Sequence, residues 1–305
     1  MKKLTFVLAA LLLILSTGCS MEPPSWAKPK TGGDLNNMKI GLSISTLNNP
    51  FFVSLKDGVV NEANKHGIET IVLDAQNDSA KQSNDVDDLI QKGVNVLLIN
   101  PTDSAAISTV VQSANNLGIP VITLDRSSDK GDVKALVASD NVKGGKMAAE
   151  YIEKLLGKNA KVIELEGVPG ASATRERGKG FHEVADQDLK VIAKQAADFD
   201  RTKGLNVMEN LLQANPDVQA VFAHNDEMAL GAIEAIKSSG KNIPVIGFDG
   251  NDDALKSIKD GKLTGTVAQQ PELIGQLAVQ AAFNVHQGKS VDKFIPVPLK
   301  LVTKE

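Results

Sequence analysis

Residues 94–125 run VNVLLIN, PTDSAAISTVVQSANNLGI, PVITLD, and this stretch decides the fold. Two short runs rich in β-branched and aliphatic residues, Val94–Asn100 and Pro120–Asp125, flank a segment over Ala105–Asn116 whose apolar residues recur at helical spacing. Strand, helix and strand in that order form a βαβ unit, in which the two strands pair in parallel through the crossover helix. Both strands are nearly continuous in apolar residues, the mark of a parallel sheet covered by helices on both faces. Both end on a polar residue, Asn100 and Asp125.

The same alternation extends outward in both directions. Strands are expected at Met38–Ser43, Glu69–Asp74 and Ala135–Ser139. A second series is expected at Lys161–Leu165, Lys190–Ala196, Val218–Ala223, Ile243–Asp249 and Leu263–Ala268. Helical patterns lie between them, among them Phe51–Lys65, Ser79–Lys92 and Gly144–Leu156. The pattern restarts near Asp140, and a single sheet of about ten strands tends to split. The expected fold class is therefore α/β, with two similar doubly wound parallel-sheet lobes. In open α/β sheets ligands bind beyond the carboxyl ends of the strands. Ser43, Asp74, Asn100, Asp125, Ser139, His224-Asn225 and Asp249 occupy those ends here. A cleft between two such lobes suits a small polar ligand enclosed by hinge closure.

The N-terminus stands apart from this pattern. Lys2 and Lys3 precede an apolar run from Leu4 to Leu15, and Ser16-Thr17-Gly18-Cys19 ends it with small residues. A run of about a dozen apolar residues is too short for a relaxed membrane span and suits a secretory signal. Cys19 is the only cysteine of 305 residues, so no disulfide forms within the chain. Its placement resembles a bacterial lipobox, which implies a signal peptide over 1–18 and a lipidated Cys19. An ordinary signal peptide with an incidental cysteine is the other reading. Residues 19–37, rich in Ser, Pro, Lys, Gly and Asn, read as a tether. Removing 1–18 deletes two lysines and moves the formal net charge from −4 to −6. With no basic patch in the remainder, nucleic acid is not an expected partner.

Several motifs are set aside on their own terms. Asp249-Gly250-Asn251-Asp252-Asp253 begins like a calcium loop but lacks Gly at the sixth position (Ala254) and the distal Glu, and reads as a turn. Gly170-Ala171-Ser172-Ala173-Thr174 lacks the last glycine of a nucleophile elbow. His66, His182, His224 and His286 show no metal-ligand spacing and are read as surface or loop residues. No Walker A sequence occurs, and no cofactor is expected.

A set of segments is narrower in its implications: STLNNPFF (45–52), LLINPTD (97–103), VITLDR (121–126), RERG (175–178), ADFD (197–200), HNDEMALG (224–231) and VIGFDG (245–250). From Met38 to Lys304 the chain resembles the type I periplasmic binding proteins, the solute receptors of ABC importers. The resemblance implies a non-enzymatic receptor for a free monosaccharide, with ribose expected, that hands it to the transmembrane subunits of a permease. A receptor that must dock a permease is expected to be a monomer, and the lipid on Cys19 is expected to hold it at the outer face of the cell membrane. Three crossings between lobes are implied, near Ser139–Asp140, Gln269–Gln270 and Pro298–Leu299. The first lobe is then 38–139 plus 270–298, completed by a helix around Glu272–Gly288, and the second is 140–269 plus 299–305.

A pyranose has two apolar faces and a rim of hydroxyls that both donate and accept, so its site needs flat apolar walls and a ring of charged or amide partners. The resemblance assigns Phe51, Phe52 and Phe199 to the faces. It assigns Asn49, Asp125, Arg126, Arg177, Asn225, Asp249 and Gln269 to the rim. Two carboxylates and two guanidiniums balance in charge, which favours their staying ionised when enclosed. Each residue also has a plainer reading. Phe51 or Phe52 fits a core position, though adjacent helical residues are not expected both to face inward. Asp125 and Asp249 fit turns, Arg175 and Arg177 a solvated face, and Asn225 before Asp226-Glu227 a helix N-cap.

Two other classes compete. A sugar-sensing repressor shares this fold, but needs a DNA-binding N-terminus where this chain has an export signal. A glycosidase using Asp125 and Asp249 needs one carboxyl kept protonated, and the neighbouring Arg126 is expected to oppose that.

Overall fold

The structure, a computed structural model, describes residues 35–304. The expected signal peptide, the lipidated Cys19 and the tether up to residue 34 lie outside the described residues.

Two six-stranded sheets organise the chain. The first holds β1 (Lys39–Ile44), β2 (Glu69–Asp74), β3 (Val96–Ile99), β4 (Val121–Leu124), β5 (Val133–Ser139) and β11 (Phe294–Val297), in the order β11-β5-β4-β3-β1-β2. The second holds β6 (Lys161–Glu166), β7 (Lys190–Ala196), β8 (Ala220–Ala223), β9 (Val245–Asp249), β10 (Gly265–Ala268) and β12 (Lys300–Thr303), in the order β12-β10-β9-β8-β6-β7. The strand orders are the same in both lobes. Each has a switch point, between β1 and β3 and between β6 and β8, where crossovers leave in opposite directions and a crevice opens.

The helices are α1 (Pro50–Lys65), α2 (Ser79–Gln91), α3 (Ser108–Asn116), α4 (Asn141–Leu156), α5 (Ser172–Asp188), α6 (Arg201–Ala214), α7 (Asp226–Ser238), α8 (Asp252–Lys259) and α9 (Pro271–His286). On the first sheet, Leu55 and Val59 of α1 and Ile274 and Ala278 of α9 cover Ile40, Leu42 and Leu98. Val86 and Leu89 of α2 with Val110 and Val111 of α3 cover the other face at Leu97, Ile99 and Val121. The second sheet is covered likewise, by α4 and α5 around Phe181, Phe222 and Phe248, and by α6, α7 and α8 around Met208, Met228 and Ile258. Burial at about 25 cal/mol per Å² of apolar surface makes these four layers the main stabilising term.

The differences from the sequence expectation have local causes. The second sheet is not wholly parallel, because β12 runs antiparallel to β10. Only Pro298 and Leu299 separate β11, at the edge of the first sheet, from β12, at the edge of the second, so the chain passes between the sheets there. Both final strands escaped the sequence reading. They are four residues each, at the sheet edges, and β11 carries Pro296, which an edge strand tolerates. Helix α4 begins three residues before the expected Gly144, because Asp140 caps it by accepting from the Lys143 amide at 2.9 Å. Helix α3 begins three residues after the expected Ala105. There Asp103 takes the Ala105 and Ala106 amides at 2.8 Å each, holding a turn ahead of the helix.

The lobes touch directly. The Ser104 amide donates to the Gly170 carbonyl at 3.0 Å, and the Ser172 amide to Ser104 Oγ at 3.1 Å. The Ser127 amide donates to Ser172 Oγ at 2.9 Å, and Arg175 pairs with Asp129 at 2.8 Å. Ser172, in the segment set aside as an elbow, thus serves as a lobe-to-lobe contact.

Candidate ligand-binding site

The carboxyl ends of the two sheets face each other across a small cavity whose lining side chains are all buried. Asn49, Phe51, Phe52, Asp125, Arg126, Arg177, Phe199, Asn225 and Asp249 line it, nine of the ten side chains singled out from the sequence. The tenth, Gln269, stands behind Asp249 and donates to its Oδ1 at 2.9 Å.

From the first sheet, Asn49 caps α1 by accepting from the Phe51 amide at 3.0 Å, with Pro50 in the first turn where its missing N–H costs nothing. Phe51 and Phe52 are both buried, against the expectation that adjacent residues cannot both face inward. At the first turn of a helix beneath a closed cleft, core and cavity lie on neighbouring faces, and the two rings meet edge to face at 5.2 Å. Asp125 and Arg126 follow β4. The Arg126 guanidinium donates to the Pro101 carbonyl at 3.0 Å and lies 4.9 Å from the Phe52 ring and 5.2 Å from the Phe199 ring. Its Nε is 3.6 Å from Asp125 Oδ2.

From the second sheet, Arg177 leaves α5 and is only 3% exposed, not solvated as its charged surroundings suggested. Arg175, two residues earlier and on another face, is the exposed one. Arg177 Nε donates to Asn141 Oδ1 at 2.9 Å, and another guanidinium nitrogen donates to the His224 carbonyl at 2.6 Å. The guanidinium lies 3.7 Å from Asp249 and 3.8 Å from the centre of the Phe248 ring. Phe199 is set on the loop before α6, and a Cβ at Gly167 would collide with its ring. Asn225 meets both readings of it. It caps α7 through the Met228 amide at 2.9 Å and still lines the cavity.

Three of the lining residues hold left-handed backbone: Asp125 (φ 62°), Phe199 (φ 60°) and Asp249 (φ 123°). Such conformations cost non-glycine residues about 1–3 kcal/mol each and persist where the surroundings impose them, typically at ligand sites. Asp249 is held by the turn after it. Asp226 accepts from the Gly250 and Asn251 amides at 2.7 and 2.8 Å and from Thr266 Oγ1 at 2.7 Å. Residues 249–253 therefore form a turn and the start of α8, and no cluster of metal-ligating side chains occurs among the described residues.

The charge balance is less simple than composition implied. Burial pushes the Asp125 carboxyl above its usual range, only partly opposed by Arg126 and Arg177. Burial also pushes Asp249 well up, against the opposing pull of Arg177. Arg126 is lowered by burial to about 10. Arg126 does pull Asp125 down, as expected, but desolvation outweighs the neighbouring cation. Asp125 Oδ1, Arg126 Nε and Gln269 Oε1 are buried without a hydrogen-bond partner in the protein. Of these, Asp125 Oδ1 and Arg126 Nε belong to the cavity wall, and an unpaired acceptor and donor there match a hydroxyl group, which both donates and accepts.

Sequence reasoning missed the layer behind these residues. Asn100 ties the ends of three strands together, accepting from Ser45 Oγ at 2.6 Å and donating to the Leu124 carbonyl at 3.0 Å. His224, read as a surface or loop histidine, is fully buried, as is Glu164, which accepts from its Nε2 at 2.8 Å. Glu164 also meets His182 Nε2 at 2.9 Å. His286 is buried too. An apolar strand interrupted by Glu164 was the one available signal for this network.

Two lobes of repeated topology around a closed, hydroxyl-matched cavity define a solute receptor that works by enclosing its ligand. The chain belongs to the periplasmic binding protein family: residues 40–290 match the family model described as "Periplasmic binding protein domain". It is 68% identical over 305 residues to the "Ribose import binding protein RbsB" of Bacillus subtilis (strain 168), covering 100% of both chains. It is 56% identical over 268 residues to the protein of the same name from Escherichia coli (strain K12), covering 87% of this chain and 90% of that one. Among solved structures, an ABC transporter solute binding protein from Mycobacterium smegmatis with bound glycerol superposes with a TM-score of 0.84. It is 36% identical, over 88% of this chain and 94% of that one. These relatives are binding proteins, and this chain is one rather than an enzyme.

Proposed function

We propose that the protein is the substrate-binding lipoprotein of an ABC sugar importer, capturing free D-ribose as the pyranose and delivering it to the membrane permease. The observation that carries this reading is the convergence of nine preselected side chains on one enclosed cavity, with unpaired polar atoms at its wall. Phe51, Phe52 and Phe199 cover the two apolar faces of the sugar. Asn49, Asp125, Arg126, Arg177, Asn225, Asp249 and Gln269 take its hydroxyls. The similarity to ribose import binding proteins supports ribose as the ligand. Sugar contacts both lobes only when they are closed, so binding shifts the population to the closed form, which the permease then recognises.

The lobes divide as 38–139 plus 270–298 and 140–269 plus 299–305, with hinge crossings after Ser139, Gln269 and Pro298. Cys19 carries the lipid that holds a monomeric receptor at the outer face of the cell membrane. Calorimetric titration with ribose, allose, arabinose and xylose tests the ligand. Tight one-to-one binding of ribose with much weaker binding of the others is expected. A preference for allose would move the ligand to a related monosaccharide and leave the receptor role standing. Mass analysis of the N-terminal peptide from the membrane fraction tests the anchor: a diacylated Cys19 is expected, and an unmodified one contradicts it.

A further inference from the structure

Arg177 is held by an arrangement that needs neither the other lobe nor the sugar. Its Nε donates to Asn141 Oδ1 at 2.9 Å, a second nitrogen donates to the His224 carbonyl at 2.6 Å, and its plane lies 3.8 Å from the Phe248 ring centre. All three partners belong to the second sheet and its helices. The other arginine of the cavity is held differently: one nitrogen donates to the Pro101 carbonyl, and its Nε has no hydrogen-bond partner.

Asn141 is the element of this arrangement with no other evident task. It is the first residue of α4, two residues after β5 ends, and at 2% exposure it is almost fully enclosed. The cap of that helix is supplied by Asp140, so Asn141 is not needed there. Both ends of its amide are used: Oδ1 takes Arg177, and Nδ2 donates to Glu176 Oε2 at 3.1 Å. An Nε–H held in this way fixes the rotation of the guanidinium about its own stem, which the His224 carbonyl alone does not. A guanidinium aimed in advance loses less conformational freedom when it meets a hydroxyl.

We infer that Asn141 is a positioning residue for the sugar-facing Arg177, presetting it in the second lobe before ligand arrives. This rests on the reading of the cavity as a sugar site, and it adds a specificity role to a residue outside the cavity wall.

The test pairs a ligand-free signal with a titration. In the ¹⁵N spectrum of the sugar-free protein, one arginine Nε–H is expected to exchange slowly and to vanish in Arg177→Lys, which assigns it. That signal is expected to vanish in Asn141→Ala as well. It is expected to return in Asn141→Asp combined with Glu176→Gln, which keeps the acceptor for Arg177 and reverses the second hydrogen bond. In titrations with ribose, Asn141→Ala is expected to weaken binding about 10-fold, the scale of a hydrogen bond to a charged group. In the Arg177→Lys background, the same change is expected to have almost no effect. Retention of the Nε–H signal in Asn141→Ala, or a loss of affinity additive with Arg177→Lys, overturns the inference. Should the unaltered protein bind no ribose, the ligand assignment fails, and the sugar-free signal alone decides the role of Asn141.

Discussion

Gln269 donates its side-chain amide to Asp249 at 2.9 Å, linking the last residues before the chain leaves the second sheet to a carboxylate on the cavity wall. This hydrogen bond favours the ionised form of a carboxyl that burial pushes well above its usual range. Gln269→Leu removes the donor at nearly the same volume. It is expected to weaken ribose binding about 10-fold at neutral pH, and calorimetry at fixed pH reads the change. An unaltered affinity would separate Gln269 from the site.

The raised pKa values of Asp125 and Asp249 also set the sign of a pH effect. A carboxyl whose folded pKa exceeds its unfolded value holds more protons when folded. The unliganded protein therefore loses stability as pH rises from the ordinary carboxylate range through the raised values. A sugar whose hydroxyls donate to the ionised carboxylates acts in the opposite direction. Ribose affinity is expected to fall on acidification, beginning at a pH above the ordinary carboxylate range. A flat affinity down to about pH 4 contradicts this.

His182 supplies a second, separate pH dependence. Burial pulls its pKa down, but hydrogen bonds to Asp186 at 2.7 Å and to the buried Glu164 at 2.9 Å raise it overall. For a histidine raised in the folded state, the added stability is fully present below the unfolded pKa of about 6.5. It is lost as pH rises through the folded value. Denaturant midpoints measured from about pH 6 to pH 9 are expected to decline in the native chain and to decline less in His182→Gln. Equal declines would place the origin elsewhere.

Gly170 marks where closure leaves no room. Its carbonyl takes the Ser104 amide across the lobes, and a Cβ there would run into the Asp103 carboxylate. Gly170→Ala is expected to leave each lobe folded, with a thermal midpoint close to the native one. It is also expected to weaken ribose binding and reduce the compaction that ribose causes in small-angle scattering. By contrast Asp129→Ala removes an ion pair whose side chains are 46% and 40% exposed, and is expected to change affinity by about two-fold or less. Native compaction and affinity in Gly170→Ala would contradict the closed geometry.

How far the sequence was legible follows physical lines. The βαβ rhythm was visible because apolar strands and amphipathic helices differ in period, so every strand from β1 to β10 was located to within a few residues. Strands β11 and β12 carry no such period, since each is a short edge strand with an exposed outer face. The cavity residues were found through motifs that resemble a family, not through spacing. Arg177 shows why. Its neighbours are charged, and only the α5 packing reveals that it points inward. The left-handed backbone at Asp125, Phe199 and Asp249 leaves no mark in the sequence, because tertiary contacts impose it. The same holds for Asn141, whose place beside the capping residue Asp140 hides its contact with Arg177.

The central claim is that ribose is enclosed between the lobes and held by the charged rim. Calorimetric titration of the folded protein with ribose, alongside Arg177→Ala, tests it most directly. The account predicts tight one-to-one binding in the native chain and a loss of about 10-fold or more in the variant. Absence of any ribose heat from a folded native chain, or equal affinity in the two proteins, would contradict it.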